Sequence, residues 1–315
     1  MTTALVFPGQ GSQAVGMGKA LCDAFPASRE VFERVDAALG EKLSRVIFEG
    51  PEAELTLTAN AQPALMATSL AALRALETIS GLDVARDAAF VAGHSLGEYS
   101  ALCAAGALTI EDTARLLRIR GAAMQKAVPV GAGSMAVILG LDFPAVADIA
   151  AEAAAEAGAI CQAANDNGGG QVVVSGAKAA VEKAMEIAKR KGAKRALLLP
   201  VSAPFHCTLM RPAAEAMRDA LAATRVSEPS VPVVANFSAQ PLTDAEAIKQ
   251  SLVDQVTGAV RWRDSVVFMT GAGVTHFVEI GAGKVLAGLI KRIAEGATAV
   301  SVGAPADVEG FASRR

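Results

Sequence analysis

Short apolar runs alternate with longer amphipathic stretches along most of the chain. The runs at 5–7 and 89–92 are brief and continuous, which is typical of strands buried on both faces. The stretches at 16–39 and 63–76 carry apolar residues at helical spacing, and the second opens on Pro63, a residue that favours the first turn of a helix. Strands that alternate with helices in this way predict an α/β layer fold.

The pattern changes between 130 and 200. In order, it predicts a strand at 134–141, a helix at 144–157, two strands at 159–164 and 171–175, a helix at 179–191 and a strand at 195–199. This βαββαβ order is that of a ferredoxin-like unit, which can close its own small core. We therefore predict a small subdomain over 130–200, inserted into a larger subdomain formed by 1–129 and 201–315.

The larger subdomain contains further predicted elements on both sides of the insert. They are helices from Leu96 and over 109–126, a helix from Pro212, strands at 231–236 and 274–280, and a helix from Lys284.

Composition narrows the possible classes of protein. The 315 residues are 52% hydrophobic and 19% charged, which allows a sizeable core and excludes a disordered chain, a collagen-like repeat and a coiled coil. The net charge of -3 gives no global attraction to nucleic acid or to an acidic membrane. The longest charge-free run, 55–73, contains too many polar residues to span a bilayer.

Export and metal binding are not indicated by the sequence. The N-terminal residues lack the basic region and the long apolar run of a signal peptide, so we expect a cytoplasmic protein. The four cysteines show neither a C-x-x-C pair nor a metal-binding spacing, which favours reduced thiols and no metal site.

Residues 93–97 read Gly-His-Ser-Leu-Gly, a G-x-S-x-G motif between an apolar run and a helix-like stretch. At a sharp strand-to-helix turn the glycines avoid steric clashes and the serine is exposed at the edge of the sheet. The N–H of Leu96 and the positive end of the following helix would stabilise an oxyanion near Ser95. The pattern favours Ser95 as a nucleophile over an incidental serine in a glycine-rich turn.

A serine nucleophile needs a base within hydrogen-bond distance, and the chain has three histidines. His94 is adjacent to Ser95 in sequence, but its side chain should diverge at the turn. His276 lies in a strand-like run, where a structural histidine is the commoner outcome. His206 lies in an irregular segment directly after the small subdomain, where loops often carry function. Elimination favours His206 over His276.

Arg120 is a guanidinium group within an apolar helical stripe. On a helix from Ile110 the other positions of this stripe are Thr113, Leu116, Leu117 and Met124. A buried charge without a partner is strongly destabilising, so Arg120 needs an anion. An internal carboxylate and a carboxylate of the substrate are both open at this point.

Three other segments allow two interpretations. Residues 9–14 fit the dinucleotide fingerprint, although the second strand that should follow is missing, and their main-chain N–H groups could instead bind an oxyanion. Residues 281–285 resemble a phosphate loop poorly and predict a strand-to-helix turn. The basic residues between 183 and 195, which include Lys194 and Arg195, favour a solvated helix face over a surface that attracts an anionic partner.

Five motifs, in the same order and over nearly the whole chain, carry a family resemblance. They are Phe-Pro-Gly-Gln-Gly-Ser-Gln at 7–13, Gly-His-Ser-Leu-Gly-Glu-Tyr-Ser-Ala-Leu at 93–102, Arg120-Gly121, Val-Ser-Ala-Pro-Phe-His-Cys at 201–207, and Asp254-Gln255 followed by Val-Arg-Trp at 260–262. Together they resemble the malonyl-CoA:acyl carrier protein transacylase family. The resemblance implies a large α/β-hydrolase-like subdomain with a parallel sheet and a ferredoxin-like insert.

The resemblance also implies the roles of individual residues. These are Ser95 as nucleophile, His206 as general acid and base, Gln255 orienting His206 through a carbonyl oxygen, the N–H groups of Gln10 and Leu96 as oxyanion hole, Arg120 as clamp for the malonyl carboxylate, Met124 and Phe205 as further substrate contacts, and Lys194 and Arg195 as a docking surface for the carrier or for the CoA phosphates. Phe205 would narrow the pocket against a methyl branch.

The implied reaction transfers malonyl from malonyl-CoA through a malonyl-serine to the phosphopantetheine thiol of acyl carrier protein, without a metal or redox cofactor. We expect fatty acid synthesis as its pathway, a monomer, and neither nucleic acid nor membrane as partner. The alternatives are a polyketide-pathway acyltransferase, a serine esterase or thioesterase that uses the same turn, and a nucleotide-binding oxidoreductase that uses 9–14.

Overall fold

The computed structural model describes residues 2–314 and arranges their strands in two sheets. The strands are β1 (Thr3–Phe7), β2 (Phe90–Gly93), β3 (Gly133–Leu139), β4 (Cys161–Asp166), β5 (Gln171–Ala177), β6 (Arg195–Leu198), β7 (Val233–Val234), β8 (Pro241–Leu242), β9 (His276–Ile280) and β10 (Thr298–Val302).

Helices of very different length connect and cover these strands. They are α1 (Lys19–Ala24), α2 (Pro26–Leu39), α3 (Leu43–Glu49), α4 (Glu52–Leu55), α5 (Thr58–Ser80), α6 (Val84–Asp87), α7 (Gly97–Ala104), α8 (Ile110–Lys126), α9 (Phe143–Ala157), α10 (Lys178–Arg190), α11 (Arg211–Ala222), α12 (Ala245–Thr257), α13 (Trp262–Gly271), α14 (Val285–Ile293) and α15 (Pro305–Ala312), with a 3-10 turn at Thr208–Met210.

The larger sheet has the order β10-β9-β1-β2-β7-β8, and all its neighbours are parallel except β7 and β8. The central strand β1 is fully buried from Ala4 to Phe7. A parallel strand that is covered on both faces needs apolar side chains at consecutive positions, which explains the continuous apolar run there. The predicted α/β class with a parallel sheet is confirmed.

The smaller sheet has the order β4-β5-β3-β6 and is antiparallel throughout. Helices α9 and α10 cover one face, where Ile138, Ile149 and Ile187 form part of a separate apolar core. The chain order β3-α9-β4-β5-α10-β6 is the predicted ferredoxin-like βαββαβ unit. This sheet lies within the segment 130–200 that the sequence assigns to the insert.

Helix α5 begins at Thr58, five residues before the start that its sequence predicts, so the prediction that Pro63 opens this helix is wrong. Pro63 has no N–H to donate to the carbonyl of Ala59. Arg118 of α8 donates Nη1 to that carbonyl at 2.8 Å and replaces the missing helical bond. None of the helices within residues 2–314 is long and apolar enough to cross a membrane.

The strand predicted at 231–236 is reduced to the two residues of β7. The chain leaves the parallel ladder at Ala235 and turns back to form β8, with Ala239 in the left-handed region at φ 55°. Asn236 is fully buried at this turn, and its hydrogen bonds go to the end of β2 and to the segment that follows it.

Candidate active site

The G-x-S-x-G motif forms a sharp turn between β2 and α7. Ser95 has φ 53°, a left-handed conformation that is strained for a residue with a side chain. A Cβ on Gly93 would lie 2.0 Å from the main-chain oxygen of Gly97, and a Cβ on Gly97 would lie 2.2 Å from that of Phe7. Both glycines are therefore required for the turn that exposes Ser95.

Asn236 holds this turn from the neighbouring strand end. Its Oδ1 accepts the main-chain N–H of Ser95 at 2.6 Å, and its Nδ2 donates to the carbonyl of Gly93 at 2.6 Å. Sequence reasoning missed this residue. The signal that could have found it is a polar residue directly after a buried strand, because such residues lie at the carboxyl edge of a parallel sheet.

His206 contacts the serine hydroxyl. Its Nε2 lies 2.8 Å from Ser95 Oγ, and its Nδ1 lies 2.9 Å from the main-chain oxygen of Gln255. The carbonyl can only accept, so Nδ1 carries the proton and Nε2 is free to accept the hydroxyl proton. Burial and the nearby Arg120 charge lower the pKa of His206 to about 3. The imidazole is therefore neutral near pH 7 and available as a base.

The other two histidines have different partners. His94 Nε2 pairs with Asn167 Oδ1 at 2.9 Å. His276 Nδ1 lies 2.6 Å from Thr298 Oγ1, between β9 and β10. The structure thus brings His206, rather than His94 or His276, to Ser95.

Arg120 is 1% exposed and lies beside the serine. Its Nη1 donates to Gln62 Oε1 at 2.8 Å, and its Nη2 donates to Gln255 Oε1 at 2.8 Å and to Ser95 Oγ at 3.1 Å. Within residues 2–314 it forms no ion pair, so the internal-carboxylate alternative does not hold as a direct contact. Burial lowers the pKa of Arg120, although a guanidinium stays protonated in proteins.

Glu98 is the buried carboxyl group nearest in sequence to the nucleophile. Its Oε2 accepts Gln255 Nε2 at 2.7 Å and the main-chain N–H of Asn236 at 2.9 Å. Burial raises the pKa of Glu98 to about 7 against the opposing effect of these hydrogen bonds and of Arg120. Gln255 therefore directs its Nε2 toward Glu98 and its Oε1 toward Arg120.

A cavity of about 210 Å³ opens in front of Ser95. The sequence-predicted residues that line it are Gln10, Ser95, Leu96, Arg120, Met124, Phe205 and His206. Gln255 lies behind Ser95 and contacts it through its Nε2, which donates to the serine carbonyl at 3.1 Å.

Two main-chain donors of this cavity are free. Across residues 2–314, the N–H groups of Gln10 and Leu96 have no protein acceptor. Gly9 allows the first of these loops to approach the second, because a Cβ there would lie 2.6 Å from the main-chain oxygen of His94. Two free donors beside a nucleophile are the arrangement that an oxyanion hole needs.

The remaining candidate segments lie outside this cavity. Lys194 and Arg195 are exposed where the chain enters the edge strand β6. The predicted strand-to-helix turn at 281–285 is confirmed, since β9 ends at Ile280 and α14 begins at Val285. Glu279 accepts the N–H groups of Leu286 and Ala287 in the first turn of this helix. In residues 2–314 no group of three or more acidic, Cys or His side chains could hold a metal ion.

Comparison with known proteins gives a consistent result. Residues 4–314 match the family described as acyl transferase domain. The malonyl CoA-acyl carrier protein transacylase of Bacillus subtilis is 47% identical over 306 residues, which are 97% of this chain and 95% of that protein.

Solved structures resemble the chain over its full length. An acyl-carrier-protein-S-malonyltransferase from Bartonella henselae has 57% identity and a TM-score of 0.96, covering 100% of this chain and 99% of that one. A type II PKS acyl-carrier protein in complex with its malonyl-transacylase gives 42% identity and a TM-score of 0.95, with 100% of both chains covered.

Proposed function

This chain belongs to the acyl transferase family, and we infer that it transfers malonyl from malonyl-CoA to the phosphopantetheine thiol of an acyl carrier protein. The observation that carries this inference is the arrangement around Ser95 Oγ, with His206 Nε2 at 2.8 Å and Arg120 Nη2 at 3.1 Å. One partner can activate the hydroxyl group, and the other can bind an acidic acyl chain.

The first half-reaction forms a malonyl-serine. His206 Nε2 takes the hydroxyl proton while Ser95 Oγ attacks the thioester carbonyl, and the N–H groups of Gln10 and Leu96 stabilise the oxyanion. The C–S bond then breaks, and the departing CoA sulfur receives the proton from His206.

The second half-reaction releases the acyl group to the carrier. The carrier thiol gives its proton to His206 and attacks the ester carbonyl of the malonyl-serine. The ester C–O bond breaks, Ser95 Oγ recovers the proton, and malonyl leaves as a thioester. These steps use side chains and main-chain groups of this chain alone, and we propose that no metal or redox cofactor takes part.

Gln255 takes the place of the usual aspartate behind the histidine. Its main-chain carbonyl accepts the Nδ1 proton of His206 at 2.9 Å, which holds the tautomer that a base requires. A carbonyl dipole also stabilises the imidazolium that forms in each half-reaction.

Arg120 would bind the malonyl carboxylate. One methylene group separates the malonyl carboxylate from the ester carbonyl. An acyl group on Ser95 therefore brings the carboxylate next to the Arg120 guanidinium, whose Nη2 is 3.1 Å from Oγ. Met124 and Phe205 line the same cavity, and we propose that Phe205 disfavours a methyl branch. Efficient loading of methylmalonyl by the unmodified enzyme would contradict this role of Phe205.

Lys194 and Arg195 are proposed to dock the acidic carrier or the CoA phosphates. Neither forms an ion pair within residues 2–314, whereas Lys191 and Arg190 pair with Glu152 at 2.5 and 3.9 Å. Reversal of both charges to Glu should lower kcat/KM for carrier loading, most strongly at low salt. The same reversal at 190 and 191 is the control. If kcat/KM for carrier loading and its salt dependence stay unchanged, Lys194 and Arg195 belong to a solvated face and have no part in docking.

The decisive experiment is intact-mass measurement after incubation with malonyl-CoA. We expect a persistent malonyl adduct on the unmodified enzyme and none on Ser95→Ala, because Oγ is the attacked atom. Rapid hydrolysis of the adduct without any thiol would favour the esterase alternative, and no adduct at all would refute the transfer mechanism.

Fatty acid synthesis is the pathway we propose, in the cytoplasm and as a monomer. A polyketide pathway is the second candidate, because one similar structure contains a type II PKS acyl-carrier protein. Relative kcat/KM values for fatty acid and polyketide carriers distinguish the two.

A further inference from the structure

Glu98 is connected to the reacting groups without touching them. It is 2% exposed, lies in the first turn of α7 and does not line the cavity in front of Ser95. Its two hydrogen bonds reach the side chain of Gln255 and the main chain of Asn236. The mechanism above assigns no part to this carboxylate.

The Gln255 amide lies between two groups of opposite hydrogen-bonding character. A carboxylate accepts and a guanidinium only donates, so Nε2 must face Glu98 and Oε1 must face Arg120. The distances are 2.7 Å to Glu98 Oε2 and 2.8 Å to Arg120 Nη2. With the amide turned over, its NH2 would face the guanidinium, and two donors would oppose each other.

We propose that Glu98 is a positioning residue of the acyl-transfer site, which through the Gln255 amide holds the Arg120 guanidinium at the acyl cavity. This inference rests on the proposed malonyl transfer. Without the carboxylate, Gln255 Nε2 loses its shorter bond, 2.7 Å to Glu98, and keeps only the bond of 3.1 Å to the Ser95 carbonyl, so the amide is held less firmly in this orientation. The bond from Arg120 Nη2 to Gln255 Oε1, one of three oxygen contacts of the guanidinium, is then weakened, and the guanidinium is held less firmly beside Ser95 Oγ.

A general structural role makes a different prediction. A buried glutamate in the first turn of a helix also stabilises the fold through the helix dipole and through satisfied N–H groups. Loss of that contribution would lower stability and would reduce all acyl transfers alike. Loss of Arg120 positioning should instead reduce malonyl loading more than acetyl loading, because acetyl has no carboxylate to bind.

The chain offers a matched control in Glu279, which is 0% exposed and accepts two main-chain N–H groups at the start of α14. We would measure kcat/KM for loading with malonyl-CoA and with acetyl-CoA for Glu98→Ala, Glu98→Gln and Glu279→Ala. The malonyl-to-acetyl ratio should fall about tenfold in Glu98→Ala, the effect of losing a hydrogen bond to a charged group. Glu98→Gln should restore most of the ratio, since its carbonyl oxygen can accept both donors.

Glu279→Ala should lower the unfolding temperature and leave the ratio unchanged. If Glu98→Ala fails to fold, Glu98→Asp carries the same test, because the shorter side chain no longer reaches the Gln255 amide. An unchanged malonyl-to-acetyl ratio in folded Glu98→Ala, or in Glu98→Asp where that variant replaces it, would overturn the proposal. An equal loss of kcat/KM with both substrates would overturn it as well. Failure of the unmodified enzyme to form a malonyl adduct would instead refute the proposed function.

A double-mutant cycle tests whether Glu98 acts through Gln255. In a Gln255→Ala background, Glu98→Ala should change the malonyl-to-acetyl ratio less than twofold, because the amide that it orients is already absent. Fold-changes that simply multiply would show independent action and would contradict the proposal.

Discussion

At the scale of single residues, Arg120 is the group that we expect to select the acyl chain. Its nitrogen atoms bind one hydroxyl oxygen and two amide oxygens, all neutral. A malonyl carboxylate offers a charged acceptor, and hydrogen bonds between ions are roughly twice as strong as neutral ones. Acetyl offers no such acceptor, so the buried guanidinium gains nothing from it.

Arg120→Ala should therefore remove the preference for malonyl over acetyl. Loss of a charged hydrogen-bond partner costs about 1.5 to 3 kcal/mol, which lowers kcat/KM for malonyl loading about tenfold to a hundredfold and leaves acetyl loading nearly unchanged. Competition between the two CoA esters, read by intact mass, measures this. Arg118→Ala is the control, because Arg118 lies on the same helix but bonds the carbonyl of Ala59. A retained malonyl preference in Arg120→Ala would refute the clamp.

Some of these residues could be predicted because each is a local exception in the sequence. Ser95 stands between glycines after an apolar run, and Arg120 stands in an apolar stripe. Asn236 follows a buried strand, which marks it only as a residue of the sheet edge, and Glu98 gives no local signal. Their hydrogen bonds join positions 138 to 157 residues apart, and only the packing of β2, β7 and α12 brings the partners together.

At the scale of secondary-structure elements, the contact of α5 with α8 places Arg120 opposite its partner Gln62. Gly121 lies at this contact, where a Cβ would be 2.5 Å from the main-chain oxygen of Thr58 and 2.7 Å from Ala59 Cα. Neither atom can move without moving the backbone of α5. The glycine after Arg120 therefore sets the separation of the two helices.

Gly121→Ala should destabilise the protein by about 1 to 3 kcal/mol, the usual cost of overpacking, and should reduce the malonyl-to-acetyl ratio. Gly288→Ala is the matched substitution, since a Cβ in that helix meets nothing within 4 Å. It should stabilise the protein by about 0.5 to 1 kcal/mol through helix propensity. Urea unfolding measures both changes. Equal effects of the two substitutions would contradict the close contact at Gly121.

The order of the main elements could be predicted from periodicity, because burial on one or both faces dictates the spacing of apolar residues. Among the boundaries that differ from the predictions, two have a clear structural cause. The start of α5 depends on a bond from Arg118 to the carbonyl that Pro63 leaves free, and the end of β7 depends on the turn at Asn236. In both cases a distant side chain replaces a regular main-chain partner.

At the scale of the whole molecule, the two sheets jointly enclose the acyl cavity. Met135 of β3 and Asn165 of β4 line it together with Ser95, which follows β2 of the larger sheet, and Arg120 of α8. A main-chain bridge from Asn165 to Val260 ties the smaller sheet to the segment just after α12. His206 at this cavity and Glu98 are both buried, and their burial changes their protonation.

Burial has opposite effects on the pKa values of His206 and Glu98. It lowers the pKa of His206 from its ordinary 6.5 to about 3, so the unfolded chain binds a proton that the folded chain does not, and stability falls as the pH drops below 6.5. It raises the pKa of Glu98 from 4.5 to about 7, so the folded chain keeps a proton that the unfolded chain releases, and stability falls as the pH rises from 4.5 through 7.

Between pH 4.5 and 6.5 the two dependences therefore oppose each other. Glu98→Gln removes the dependence that Glu98 causes and leaves the one that His206 causes. The free energy of unfolding of this variant should therefore rise with pH more steeply than that of the unmodified enzyme over this interval. Urea unfolding at several pH values within it measures the two slopes, and slope differences report the number of protons directly. Identical slopes would mean that Glu98 is ionised in the folded enzyme throughout, and that its carboxylate is stabilised by Gln255, Asn236 and Arg120 more strongly than burial destabilises it.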